Sequence, residues 1–118
     1  MEGPTVYEYV SDMEDFYRMQ IGYLASVVVF SASWCRPCAS LKEWLNANYK
    51  DFPYPILIAD VDNSELQPLT ESVAGMPTIE IYQDSVRTHV IEGFNPDKLK
   101  SILDQLRSNN TTPISFNE

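Results

Sequence analysis

The residues with the most chemistry in this chain are Cys35 and Cys38, set in Trp34-Cys35-Arg36-Pro37-Cys38. They are the only two cysteines among 118 residues. On a helix, positions i and i+3 share a face, which brings two such thiols within disulfide reach. A pair of this kind can exchange disulfides: a thiolate attacks, a second thiol resolves, and a third sulfur leaves. A structural bond is the weaker reading, because it would close too small a loop to constrain the unfolded chain much. Zinc is weaker too, since two thiolates make half a tetrahedral site and a second chain would have to supply the rest. An unreactive buried pair is the remaining alternative. The expectation is a redox pair with no metal and no bound cofactor.

The elements around the pair are legible from their apolar patterns. Val27-Val28-Val29-Phe30 is an apolar, β-prone run that predicts a buried strand just before the motif. Leu41, Trp44, Leu45 and Tyr49 recur behind it at helical spacing. The motif therefore sits where a strand turns into a helix, with Cys35 at the helix N-terminus. Unpaired N–H groups and the helix dipole favour a thiolate there. Arg36 places a positive charge beside it, which acts in the same direction. Pro37 falls in the first turn, where a missing N–H costs nothing.

The rest of the chain supplies a frame. Val6, Tyr7, Tyr9 and Val10 predict a short strand. Ser11 as N-cap, with Glu14 three residues on, predicts a helix over about 12–23. Strands are expected over 26–31 and 56–61, with the cysteine helix between them ending near Tyr49. Pro68 makes the next helical stretch, 64–74, short or irregular. The run 78–82 alternates as a half-buried strand does, and Asp84-Ser85 turns it into a hairpin with 86–91. Asn95-Pro96-Asp97 opens a last helix with Leu99, Ile102, Leu103 and Leu106 on one face. Residues 108–118 lack periodicity and read as a flexible tail. The order βαβαβαββα predicts an α/β fold, a mixed central sheet flanked by helices on both faces, in a single domain over 1–118.

Charge narrows the partners. Eight basic and 17 acidic side chains leave a net charge of -9, which argues against nucleic acid and anionic membranes. No apolar run approaches the ~18 residues of a membrane span. Met1-Glu2-Gly3-Pro4 does not open like a signal peptide, so a cytoplasmic setting is expected, with an organelle left open. In a reducing compartment a C-x-x-C is more often catalytic or metal-binding than structural. His89, the only histidine, reads as a surface residue, and Asp60 and Asp62 as a solvated strand end. Trp34 reads as part of a contact surface beside the thiols.

Phe30, Ala32-Ser33-Trp34-Cys35-Arg36-Pro37-Cys38, Met76-Pro77-Thr78 and Gly93 together resemble the thioredoxins, over roughly residues 5–107. The resemblance implies the thioredoxin fold and a monomeric thiol–disulfide oxidoreductase acting on disulfide-containing proteins. It also implies recharging by thioredoxin reductase, an NADPH-dependent flavoprotein. Cys35 would be the nucleophile, Cys38 the buried resolving thiol and Pro77 a cis-proline beside them. Trp34, Met76, Pro77, Gly93 and Phe94 would form a shallow substrate groove. Three positions depart from the family's pattern: Arg36 replaces a glycine, Val29 a buried aspartate, and Ile58 a lysine or glutamate. These positions, with Trp34, Pro37 and Pro77, are the ones expected to tune the site. The motif is not the C-P-Y-C of glutaredoxins, which disfavours glutathione handling. Two other readings remain open at this point, a thioredoxin-like binding module and a reductant dedicated to one enzyme.

Overall fold

A computed structural model describes residues 5–111. In chain order it forms β1 (Tyr7–Tyr9), α1 (Met13–Arg18), β2 (Ala25–Ser31), α2 (Arg36–Asn48) and β3 (Ile56–Asp60). A 3-10 turn (Ser64–Leu66) then runs into α3 (Gln67–Thr70), followed by β4 (Thr78–Gln83), β5 (Val86–Glu92) and α4 (Pro96–Thr111). The strands make one sheet in the order β1-β3-β2-β4-β5. β3 pairs parallel with both β1 and β2, while β4 runs antiparallel to β2 and β5. The two-residue turn Asp84-Ser85 has positive φ at both positions, 57° and 68°, which suits the right-handed twist of a hairpin.

β2 is the middle strand and every one of its residues is buried. Its alternate side chains feed two layers, as the period of a strand requires. Val27 and Val29 join Ile56, Ile58, Ile79 and Ile81 beneath α2 and α4, against Leu41, Leu45, Leu99 and Leu103. Val28 and Phe30 face the other way, with Leu57, Phe16 of α1 and Leu66. Full burial of such side chains contributes about 1.5–3 kcal/mol each. Polar contacts fasten α4 over its layer. Tyr49 donates to Asp104 Oδ1 at 2.9 Å, and Arg107 bridges Asp104 and Asp51. Hydrogen bonds from Lys100 and Tyr49 hold the Asp104 carboxyl below its usual range.

Four local expectations change. The N-cap of α1 is Asp12, not Ser11: the Asp12 carboxylate accepts the Asp15 N–H at 2.8 Å. Asp15 reaches back to accept from both the N–H and the hydroxyl of Ser11, the residue before the cap, so the cap stands one residue later than expected and the back-bond is made by Asp15, not Glu14, and to Ser11 rather than to the N-cap itself. α1 also stops at Arg18, short of Tyr23. Gly22 takes φ +90°, and Ile21, Tyr23 and Leu24 are exposed, so their spacing faced no core. β4 is not half-buried. Glu80 lies inside, its carboxylate accepting from Tyr82 at 2.7 Å and from Arg87 at 3.1 Å, which makes its burial tolerable. Finally, α4 continues to Thr111, through the first four residues of the expected tail. A helix once nucleated propagates across polar residues without an apolar face. Residues 112–118 of that tail lie outside the described residues.

Candidate active site

The motif occupies the junction between the central strand and α2. β2 ends at Ser31, and after three intervening residues the chain enters the helix with Cys35 as its N-cap. Cys35 keeps extended backbone angles (φ -94°, ψ 111°), and its Sγ accepts the backbone N–H of Cys38 at 3.2 Å. One orphan N–H of the helix start is thereby aimed at the sulfur. The first turn of α2 carries no acidic residue but does carry Arg36 and Pro37, so nothing there offsets the positive end of the dipole. Cys35 and Cys38 are joined as a disulfide, with Cα atoms 5.3 Å apart. Cys38 is 0% exposed and Cys35 8% exposed. Cys35 thus keeps a little exposed surface and Cys38 keeps none. The apolar residues gathered around them are Ala32, Val61 and Met76.

A second segment closes over the pair. The Met76–Pro77 peptide bond is cis, in agreement with the resemblance. Thr78 Oγ1 donates to the Gly75 carbonyl at 2.6 Å, and Gly93 N–H donates to the Pro77 carbonyl at 2.8 Å. Gly93 has φ +81°, a left-handed backbone in which a side chain would be strained. These ties bring Met76, Pro77, Gly93 and Phe94 together. With Arg36, Pro37 and Ser40 they line an open groove of about 460 Å³ beside the disulfide.

Trp34 is not among the groove's walls. It stands 66% exposed, and its indole N–H donates to Asp62 Oδ2 at 2.9 Å. Asp62 is in turn held by its own N–H, which donates to Asp60 Oδ1 at 2.8 Å. Asp62 is therefore a site residue that the sequence reading treated as solvated. The clue lay in the topology: β2 and β3 are parallel neighbours that pair Ser31 with Asp60. Residues just beyond their C-terminal ends emerge side by side. Val29 and Ile58 are also partners across these strands, both 0% exposed. They belong to the large layer under α2, with Leu41, and not to the small cluster around the sulfurs. On the same face of β2, two residues on, the Ser31 hydroxyl is buried without a hydrogen-bond partner among the described residues. His89 lies half-buried on the edge strand β5, its Nδ1 3.0 Å from Thr88 Oγ1.

The thioredoxin family model matches residues 11–105, which takes in both cysteines and the Met76–Pro77 segment. The chain belongs to the thioredoxin family. It is 31% identical over 98 residues to the thioredoxin of Ophiophagus hannah, an overlap covering 80% of this chain and 92% of that protein. Among solved structures, the thioredoxin of Fasciola hepatica superposes with a TM-score of 0.72 at 26% identity, covering 83% of this chain and 97% of the other. Oxidised thioredoxin O1 of Arabidopsis thaliana superposes at 0.76, with 24% identity and coverage of 88% and 99%, a likeness of fold. Family membership and the Cys35–Cys38 disulfide together make this thioredoxin a thiol–disulfide oxidoreductase, of the kind that reduces protein disulfides and draws on a reductant partner. Among the described residues, no helix is long and apolar enough to cross a membrane.

Proposed function

We propose that Cys35 is the attacking thiol and Cys38 the resolving thiol of a protein-disulfide reductase that works as a single-domain monomer. The observation that carries this is the asymmetry of the pair: Cys35, next in the chain to Arg36 and Pro37 of the groove, keeps 8% of its surface exposed, whereas Cys38 keeps none. The groove of Met76, Pro77, Gly93 and Phe94 takes the substrate chain, and the exposed Trp34, next to Cys35 in the chain, adds to the contact surface. In the reduced protein the Cys35 thiolate attacks one sulfur of a substrate disulfide. A mixed disulfide forms, and the second substrate sulfur leaves as a thiolate that takes up a proton. Cys38 then loses its proton and attacks Cys35 Sγ, which releases the first substrate sulfur as a thiolate, protonated in turn. Two electrons have passed to the substrate and the protein holds the Cys35–Cys38 disulfide. A thioredoxin reductase of the flavoprotein type returns two electrons to reopen it.

The setting that suits this cycle is a reducing compartment such as the cytoplasm, because both cysteines serve the redox pair and none is spent on a structural bond. Microscopy of a tagged chain tests the compartment, and sedimentation as a single 13.5 kDa species tests the monomer.

The roles of the two thiols are tested by alkylation. At mildly acidic pH the reduced protein should be labelled first at Cys35, since the helix N-terminus and Arg36 both favour its thiolate and only it is accessible. Peptide mapping of the singly labelled product reads the site. Label found first on Cys38 would reverse the assignment.

A further inference from the structure

Arg36 differs from the chain's other arginines. Arg18 pairs with Asp15, Arg87 with Glu80, and Arg107 with Asp51 and Asp104. Arg36 is exposed and has no carboxylate partner among the described residues. It is also the one charged residue lining the groove, whose other walls are apolar or, at Ser40, a hydroxyl. Arg36 and Ser40 stand four residues apart on α2, so they share a face and present a guanidinium and a hydroxyl to the same space. Glu92 and Asp97 flank Gly93 and Phe94 in sequence but do not line the groove. Trp34, next to Cys35 in the chain, is by contrast held by a carboxylate, that of Asp62. The site is thus cationic on its groove side, in a protein whose net charge is -9.

We infer that Arg36, assisted by Ser40, selects substrates whose reducible disulfide has a carboxylate within a few residues of the attacked cysteine. This rests on the reductase reading and leaves its redox step unchanged. A guanidinium that meets its carboxylate at the groove's open rim is screened by solvent. The preference should therefore be about two- to five-fold, enough to rank substrates but not to exclude any.

Three disulfide peptides differing only in a Glu, Gln or Lys beside the attacked cysteine test this. Each rate is divided by the peptide's own rate with dithiothreitol, and ratios are taken within one protein variant, so that changes in potential cancel. The wild type should reduce the Glu peptide faster than the Gln peptide and the Lys peptide slowest, with the spread shrinking in high salt. Arg36→Gln should level the three, and Arg36→Glu should invert the order. Equal wild-type rates, or a preference that survives Arg36→Gln, would overturn the inference while leaving the reductase reading intact. Failure to reduce any of the peptides would overturn both.

Discussion

Cys38→Ser should turn this thioredoxin from a turnover catalyst into a trap for its substrates. The variant keeps the exposed surface of Cys35 and the backbone N–H of residue 38 aimed at its sulfur, since that hydrogen bond uses the main chain. Attack therefore proceeds. What is lost is the intramolecular thiol that ends the mixed disulfide. Well-placed intramolecular groups act at effective molarities of up to about 10⁵–10⁸ M. Millimolar external thiol replaces such a group poorly, so turnover should fall by at least about 10³-fold. Covalent adducts should accumulate on non-reducing gels and dissolve with dithiothreitol. The reverse pattern, adducts with Cys35→Ser and none with Cys38→Ser, would mean the roles are exchanged.

The second large effect is expected at Val29. This side chain is 0% exposed, in the middle of the central strand, and packs in the layer that contains Leu41. Leu41 follows Cys38 by three residues on the same face of α2, so the layer that adjoins the sulfur cluster is apolar from Val29 to Ile58. Among the described residues the one buried carboxylate, Glu80, pairs with Val28 and so lies on the opposite face of the sheet; with none in this layer to take the proton of Cys38, resolution should lag behind attack. Mixed disulfides held longer in this way suit a narrow range of partners. Val29→Asp should speed their decay, as stopped-flow would record. It should also destabilise the fold by about 1–3 kcal/mol, the cost of a buried polar group without a full set of partners. The Ser31 hydroxyl, which has no partner among the described residues, is a donor on the same face of β2. Burial raises the pKa of the introduced carboxyl above its unfolded value. The folded state then binds the proton more tightly, so the stability difference from wild type should widen as pH rises through that range. Unchanged decay of the mixed disulfide would show that the position does not govern resolution in this chain.

The parts of the site that a reader of the sequence could see are those made by neighbours along the chain. The apolar run of β2, the helical spacing after Cys38 and the single C-x-x-C fixed one another's places. Pro77 and Gly93 lie some forty and fifty-five residues further on, and only the family resemblance tied them to the thiols; the Gly93–Pro77 hydrogen bond is the physical link. The role of Asp62 is not legible in the sequence, because its meeting with Trp34 depends on β2 and β3 being parallel neighbours, which no local pattern states. α1 looks longer in the sequence than it is because Ile21 and Leu24 continue the helical spacing of Met13, Phe16 and Tyr17 while facing solvent. The burial of Glu80 is hidden in the sequence because a lone carboxylate in an alternating strand reads as a solvent-facing residue. Its partners, Tyr82 and Arg87, come from the same hairpin, two and seven residues on. The isolation of Arg36 is visible only once the other arginines are seen with their acids.

Reduction of insulin in the presence of dithiothreitol tests the central claim most directly, namely that Cys35 attacks protein disulfides. The intact protein should precipitate insulin chains well ahead of dithiothreitol alone, and Cys35→Ser should fall back to the dithiothreitol rate. An intact protein no faster than dithiothreitol, or a Cys35→Ser variant as fast as wild type, would contradict the account.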